Sequence, residues 1–432
     1  MPNTHFFEVF RGASLAFVLR GIGAGLAFAL NVVIGRLLGA EGAGLYFLAL
    51  SVVTIGAVVS KLGLDNTLLR FVALGANSGD WNKVLGVFRM GMWLAAATSL
   101  AAASAVFALA PWIADHVFGE PLLTSTLWAM SAGIFTLVTM TLLAESLKGL
   151  KRIGNSMLVS GMLYPAISLT LIWPLVNHFG APGAAMAYVL GTGAAAAIGW
   201  AMWRGNVANV EANSPWFERA TLWQSCLPLW AISIINRGIL PWTPLLLLGI
   251  WGTADEVGIF GAATRVAMLV TFFLTAVNTV IAPKFAELHA HGELEMLGNL
   301  ARHFVLLTTL AASPLFVLLI FTGDWVMGLF GPEFSKGGTA LAILAAGQAV
   351  NVMTGSVVYL LIMTGHEQDV RNAAILSMLL MIACAVLLIP QNGVIGASIS
   401  SAVAVAATNI YASFMVYVRL GVLIIAPGQG KP

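Results

Sequence analysis

Charge is what this sequence has least of. Asp, Glu, Lys and Arg make up 9% of its 432 residues and hydrophobic residues 59%, against about 25% charged in an ordinary soluble domain. So little charge cannot cover a water-facing surface, and the chain reads as an integral membrane protein. The net charge of +2 is no sign of nucleic acid, because in such a chain basic residues are placed by topology; no nucleic-acid partner is expected. Cysteine is almost missing too. Cys226 and Cys384 fall in apolar runs of different halves, which disfavours a disulfide and leaves buried thiols. No GxxxxGK[ST] phosphate loop, HExxH, CxxC or GxSxG occurs, which leaves no basis for a cofactor or a metal. The one H-x-H, His289 and His291, stands among Glu287, Glu293 and Glu295 and reads as a solvated loop. An enzyme is therefore not expected. The opening MPNTHFFEVFR lacks a basic start and a small-residue cleavage site, so the amino terminus is expected to stay in the cytosol.

What is there is length and repetition. Apolar runs of membrane-spanning length fall at about 13–34, 43–62, 86–110, 122–144, 156–176 and 183–203, then at 227–250, 257–282, 303–322, 338–362, 372–389 and 394–418. Landmarks recur between the two sets. Gly44-Leu45-Tyr46 precedes Gly258-Ile259-Phe260 by 214 positions, Arg20 precedes Arg237 by 217, Phe118-Gly119 precedes Phe330-Gly331 by 212, Gly149 precedes Gly365 by 216, and Gly183-Ala184 precedes Gly396-Ala397 by 213. The expectation is an all-α polytopic fold of 12 transmembrane helices: a six-helix bundle over 1–203, a cytosolic linker over 204–225 and a second bundle over 226–432. An internal repeat of this size is a mark of transporters.

Lysine and arginine set the orientation. With the amino terminus inside, fifteen of them fall in cytosolic segments, and only Arg36 and Lys336 fall outside; both termini are then cytosolic. In the linker, Trp216, Phe217, Leu222 and Trp223 could share one face of an interfacial helix, the alternative being a plain tether. Outer connections such as 177–182, 251–256 and 390–393 are too short to hold an extracytoplasmic catalytic domain.

Three arginines remain inside the spans: Arg20, Arg237 and Arg265. At 1.5 Å per residue, Arg20 lies roughly 10 Å from the cytosolic edge, Arg237 near mid-depth and Arg265 about 12 Å from the outer edge. An intramembrane arginine costs about 2.5–3.5 kcal/mol on insertion scales and is expected to have a use or a partner. On the first helix, Ala13, Ala16, Arg20, Gly23, Ala24, Ala27 and Asn31 share a face of small and polar residues that suits a cavity wall. The alternatives are structural. Arg20 could snorkel, Arg237 could bond carbonyls freed by Pro241 and Pro244, and Arg265 sits on a close-packing face with Gly258, Gly261 and Ala262. Gly21, Gly23 and Gly25 could hinge the first helix or let a neighbour approach it. All eighteen acidic residues fall in expected loops or at span ends, Glu145 and Asp65 nearest the membrane. Cations without counter-ions suit an anionic substrate.

GRLLGAEGAGLY, GLDNTLLRF and VGIFGAATR together carry a resemblance to the bacterial polysaccharide transporters, the O-antigen and exopolysaccharide flippases of the multidrug/oligosaccharidyl-lipid/polysaccharide exporter (MOP) superfamily, which includes the MATE transporters. The resemblance implies a MATE-like fold around a central cavity in the bacterial inner membrane. It also implies movement of an undecaprenyl-diphosphate-linked oligosaccharide from the inner to the outer leaflet by alternating access. Related lipid II flippases use arginines of the first and eighth helices at the cavity, which matches Arg20 and Arg265 in position. Implied partners are the polyprenyl-diphosphate-linked oligosaccharide, the lipid bilayer, and the glycan polymerase and glycosyltransferases of the same pathway. On this reading Arg20, Arg237, Arg265 and Asn31 bind substrate. A multidrug or cation antiporter of the same fold and a membrane glycan polymerase or ligase are the other readings.

Overall fold

The computed structural model describes residues 2–208, 210 and 217–422. Every regular element among them is helical, as a bilayer requires of a chain that must satisfy its own backbone. Nine helices among the described residues are long and apolar enough to cross a membrane. Two of the nine hold two passes each. Helix α1, Pro2–Ser60, is broken at Gly39, and the last helix, Glu367–Leu420, at Gly393. A straight helix of 59 residues would run about 88 Å, nearly three times the hydrocarbon thickness. With Ala254–Ala290, which a 3-10 turn at Met268–Thr271 divides, the passes among the described residues number twelve.

The chain forms two compact units, Met1–Trp242 and Thr243–Pro432. In the first, α1 is followed by α2 (Leu64–Ser78), α3 (Trp81–Trp112), α4 (Leu123–Ser131), α5 (Gly133–Gly149), α6 (Ile153–Met157), α7 (Tyr164–Phe179), α8 (Ala181–Val207) and α9 (Arg219–Ser233). The second holds most of α10 (Leu240–Trp251), then α11 (Ala254–Ala267), α12 (Phe272–Ala290), α13 (Leu294–Phe321), α14 (Gly323–Gly328), α15 (Gly338–Thr354), α16 (Val357–Met363) and α17 (Glu367–Leu420). The boundary falls inside α10, so α9 packs with the first unit, against α2. Of the expected interfacial face, Trp216 lies outside the described residues, and Leu222 and Trp223 belong to α9, which begins at Arg219.

The repeat is visible in backbone detail. Gly79 and Gly292 lie 213 positions apart and take the same left-handed conformation, φ 72° and 73°. Gly180 and Gly393, again 213 apart, take φ 62° with ψ −135° and φ 47° with ψ −121°. A Cβ on Gly183 would collide with the Leu175 carbonyl, and one on Gly396 with the Leu388 carbonyl, the same contact 213 residues on. Both positions need glycine because the fifth and sixth passes of each half cross backbone against backbone.

The structure also contains what hydropathy hides. Helix α2 is amphipathic, with Leu64, Leu68, Phe71 and Val72 buried, and it packs on α3 and α5. Left-handed glycines flank it at Gly63 and Gly79. The expected span 338–362 is broken at Gly355 into α15 and α16.

Candidate functional site

Arg20 lies in the first pass and is exposed, and no hydrogen bond or ion pair joins it to another described residue. Asn31 is half-buried on the same helix and donates from Nδ2 to the Ala27 carbonyl at 2.6 Å. Eleven residues separate the two, about 16 Å along the axis, so they share a face without touching. Gly23, between them, is packed: a Cβ there would come within 2.8 Å of the Gly161 carbonyl, whereas at Gly25 nothing lies within 4 Å. Gly23 therefore admits a neighbouring helix, and that part of the stripe faces protein.

Arg237 lies on a wide π turn, Ile234–Ile239, ahead of Pro241 and Pro244. Its partner was not visible in the linear pattern. Arg237 Nη1 donates to Asp65 Oδ2 at 2.6 Å, and Lys61 Nζ lies 3.5 Å from the same oxygen. The carboxylate is 3% exposed, the Lys61 side chain 11% and the Arg237 side chain 55%. The expectation of cations without counter-ions thus fails at Arg237, because Asp65 stands at the start of α2, directly beneath the second pass. The signal available was the close spacing of Lys61 and Asp65, which in the structure stand on either side of the turn between α1 and α2.

Further contacts fasten the same end of the seventh pass to the second. Trp230 Nε1 donates to the Val59 carbonyl at 2.9 Å, Thr67 Oγ1 lies 3.3 Å from Ser225 Oγ, and Cys226 Sγ lies 3.4 Å from Thr67 Oγ1. Gly63, at φ 74°, fills the turn between them; a Cβ there would meet the Cys226 carbonyl and come within 2.9 Å of Trp230 N. Helix α9 thus sits backbone to backbone on the Lys61–Leu64 turn.

Arg265 belongs to the second unit, half-buried on α11, and donates from Nη1 to the Gly261 carbonyl at 2.8 Å. Arg20, Asn31 and Arg237 occupy separate places in the first unit with separate surroundings. Elsewhere in the second unit, Thr354 Oγ1 donates to Asn409 Oδ1 at 3.2 Å and Ser356 hydrogen-bonds Asn278, two neutral pairs on either side of the Gly355 break. Sequence reading missed them because short polar side chains barely register in a hydropathy window.

Among the described residues, no three of His, Cys, Asp and Glu are grouped so as to hold a metal. His291 Nδ1 lies 2.8 Å from the Glu287 carbonyl oxygen, and the Glu287 carboxylate accepts from Lys284 Nζ at 2.8 Å. That hydrogen bond holds the Glu287 carboxyl below its usual range.

A model of the family described as "Polysaccharide biosynthesis protein" matches residues 9–289, well over half of the chain. The chain belongs to that family. The match runs through the first unit from residue 9 and into the second as far as the end of α12. A curated relative from Haloferax volcanii, named "Probable low-salt glycan biosynthesis flippase", is 23% identical over 411 residues, covering 93% of this chain and 82% of the relative. An inward-facing multidrug resistance MATE transporter of the MOP superfamily superposes with a TM-score of 0.73 at 17% identity, covering 95% of this chain and 100% of the transporter. The lipid II flippase MurJ, in an inward closed conformation, gives 0.68 at 12% identity, covering 92% and 87%. This member of the polysaccharide biosynthesis family is thus a multi-pass membrane protein with the MATE-like MOP fold.

Proposed function

We propose that the protein is a flippase for a lipid-linked glycan, moving an undecaprenyl-diphosphate-linked oligosaccharide from the inner to the outer leaflet of the cytoplasmic membrane by alternating access. The observation that carries this reading is Arg20, an exposed guanidinium inside a membrane-spanning helix with no carboxylate partner among the described residues. Such a group suits a phosphate, whose oxygens match its planar fork. Arg265 is proposed as the second contact to the diphosphate and Asn31 as a contact to the sugar. Family membership and the flippase name of the Haloferax relative agree with this. Arg237 fits better as a diphosphate contact made when Asp65 exchanges it than as a permanently open cation, since Lys61 remains to hold the carboxylate.

The two halves, 1–203 and 226–432 joined by 204–225, would alternate with both termini in the cytosol. An inside-negative potential favours outward movement of an anion by about 2.3 kcal/mol per charge per 100 mV. Glycosyltransferases would supply the substrate and a polymerase would consume the product. A cation antiporter needs a carboxylate available to its cargo, whereas Asp65 already faces Lys61 and Arg237.

Binding tests this most simply. Purified protein should bind undecaprenyl diphosphate more tightly than undecaprenol, with the difference reduced at least tenfold in Arg20→Ala and less in Arg20→Lys. Equal affinity for diphosphate and alcohol in the wild-type protein would overturn the anion reading.

A further inference from the structure

A second cationic place lies in the first unit and involves none of the residues discussed so far. Between α3 and α8, over α5, runs an open groove of about 650 Å³, within the range of small-molecule sites. Its floor is aromatic. Phe88 and Trp203 are both buried and stack at 4.0 Å between centroids, with Trp200 beside Phe88 at 5.8 Å. At its mouth stand Arg89 and Arg204, both exposed. Each arginine has a tryptophan four residues along its own helix towards the membrane interior, Trp93 beyond Arg89 and Trp200 beyond Arg204. Two helices running in opposite directions thus present the same pair, a guanidinium at the rim and an indole one turn deeper.

The charges are unbalanced. No carboxylate lines the groove. Among the described acids, Asp80 accepts from the Lys83 backbone N–H at 3.1 Å, Glu145 pairs with Lys148 at 3.2 Å, and Glu218 accepts from Thr221 Oγ1 at 2.6 Å. Arg204 lies 5.5 Å from the centre of the Trp200 ring, and neither Arg89 nor Arg204 meets an acid among the described residues. Thr139 is the one uncharged hydroxyl in the lining, which leaves little to hydrogen-bond a sugar. An apolar trough with a cationic rim at the edge of a membrane-spanning bundle fits a molecule with a hydrocarbon tail and a compact anionic head.

We propose that this groove is a binding site for an anionic glycerophospholipid, its phosphate held between Arg89 and Arg204 and an acyl chain lying along Trp93, Phe88 and Trp203. Such a lipid adds a second link between the start of α3 and the end of α8, beside the Phe88–Trp203 stack. The groove contains no residue of α1, so this lipid is distinct from the transported one. The two guanidinium groups at its rim, which meet no acid among the described residues, and not the apolar face alone, distinguish this lipid from lipid that merely surrounds the bundle. Its orientation rests on the proposed topology, in which this end of the bundle meets the cytosolic leaflet.

The test is native mass spectrometry of the delipidated full chain titrated with phosphatidylglycerol or phosphatidylcholine, together with thermal melting under the same conditions. The wild-type protein should retain phosphatidylglycerol at least tenfold better than phosphatidylcholine and melt higher with it. Arg89→Gln/Arg204→Gln should lose that preference while melting like wild type in detergent alone, and Arg89→Lys/Arg204→Lys should keep part of it. Equal retention of the two lipids by the wild-type protein would overturn the proposal, as would a preference that survives in the glutamine variant. Displacement of phosphatidylglycerol by equimolar undecaprenyl diphosphate, at sites lost in the glutamine variant, would overturn it in favour of a substrate site. Because no transport is measured, failure here leaves the flippase reading intact, and failure of flipping leaves this site intact.

Discussion

Asp65→Asn should cost more stability than Arg237→Gln, although both break the same ion pair. The asymmetry follows from burial. Asp65 is 3% exposed and lies between Lys61, 11% exposed and 3.5 Å away, and Arg237, 55% exposed and 2.6 Å away. Removing the carboxylate charge strands the Lys61 ammonium in a nearly closed site, and breaking a buried pair in this way costs about 3–5 kcal/mol. Removing Arg237 leaves Asp65 still paired with Lys61, and the lost hydrogen bond is half in solvent, so about 1–2 kcal/mol is expected. Replacing both buried charges, Lys61→Met with Asp65→Leu, should recover much of what Asp65→Asn loses, because apolar groups of similar volume need no partner. Melting midpoints of the wild-type protein and the three purified variants, in one detergent at one scan rate, give the order directly. The reasoning is refuted if Arg237→Gln melts at or below Asp65→Asn, or if the double replacement is no better than Asp65→Asn.

Other substitutions should separate close packing from open space. Gly183→Val and Gly396→Val should each abolish stable folding, since both place side-chain atoms against a carbonyl of the preceding pass; wild-type yield and elution of either variant would contradict the backbone crossing. Gly23→Ala should cost about 1–3 kcal/mol by crowding, whereas Gly25→Ala, with nothing within 4 Å, should be neutral or slightly stabilising, and a thermal melt of the pair decides. Trp230→Phe removes the indole N–H bond to the Val59 carbonyl and should cost about 1 kcal/mol, read as a lower melting midpoint. Asp369→Asn should also lower the midpoint, because the buried Asp369 carboxylate accepts from Arg419 at 3.0 and 3.4 Å; an unchanged midpoint would make that pair decorative.

The passes were legible in the sequence because twenty apolar residues announce themselves wherever they pack. So was the repeat, and Gly183 and Gly396 now have a physical reason for recurring. Helix α2 was not legible, because an amphipathic helix of fifteen residues beside a membrane has the composition of a loop. Arg20 and Arg265 were found as charges out of place, yet the Arg265 bond to the Gly261 carbonyl required the fold. Arg237 shows the limit most plainly. Its partner lies 172 positions away, and Asp65 looked like the acidic end of a span until the π turn at Ile234–Ile239 brought the guanidinium to it. The Arg89 and Arg204 groove escaped for the same reason, since each arginine alone is an ordinary interfacial residue.

The proposed mechanism carries a phosphate-bearing lipid across the membrane through contacts with intramembrane arginines. Its most direct test is leaflet accessibility of an undecaprenyl-diphosphate oligosaccharide in proteoliposomes holding the wild-type protein, Arg20→Ala or Arg265→Ala at matched density. The wild-type protein should expose the lipid to an external glycosidase over time, and both variants, folded and reconstituted equally, should slow this at least tenfold. Wild-type vesicles that never expose the lipid, or variants that flip it at the wild-type rate, would contradict that mechanism.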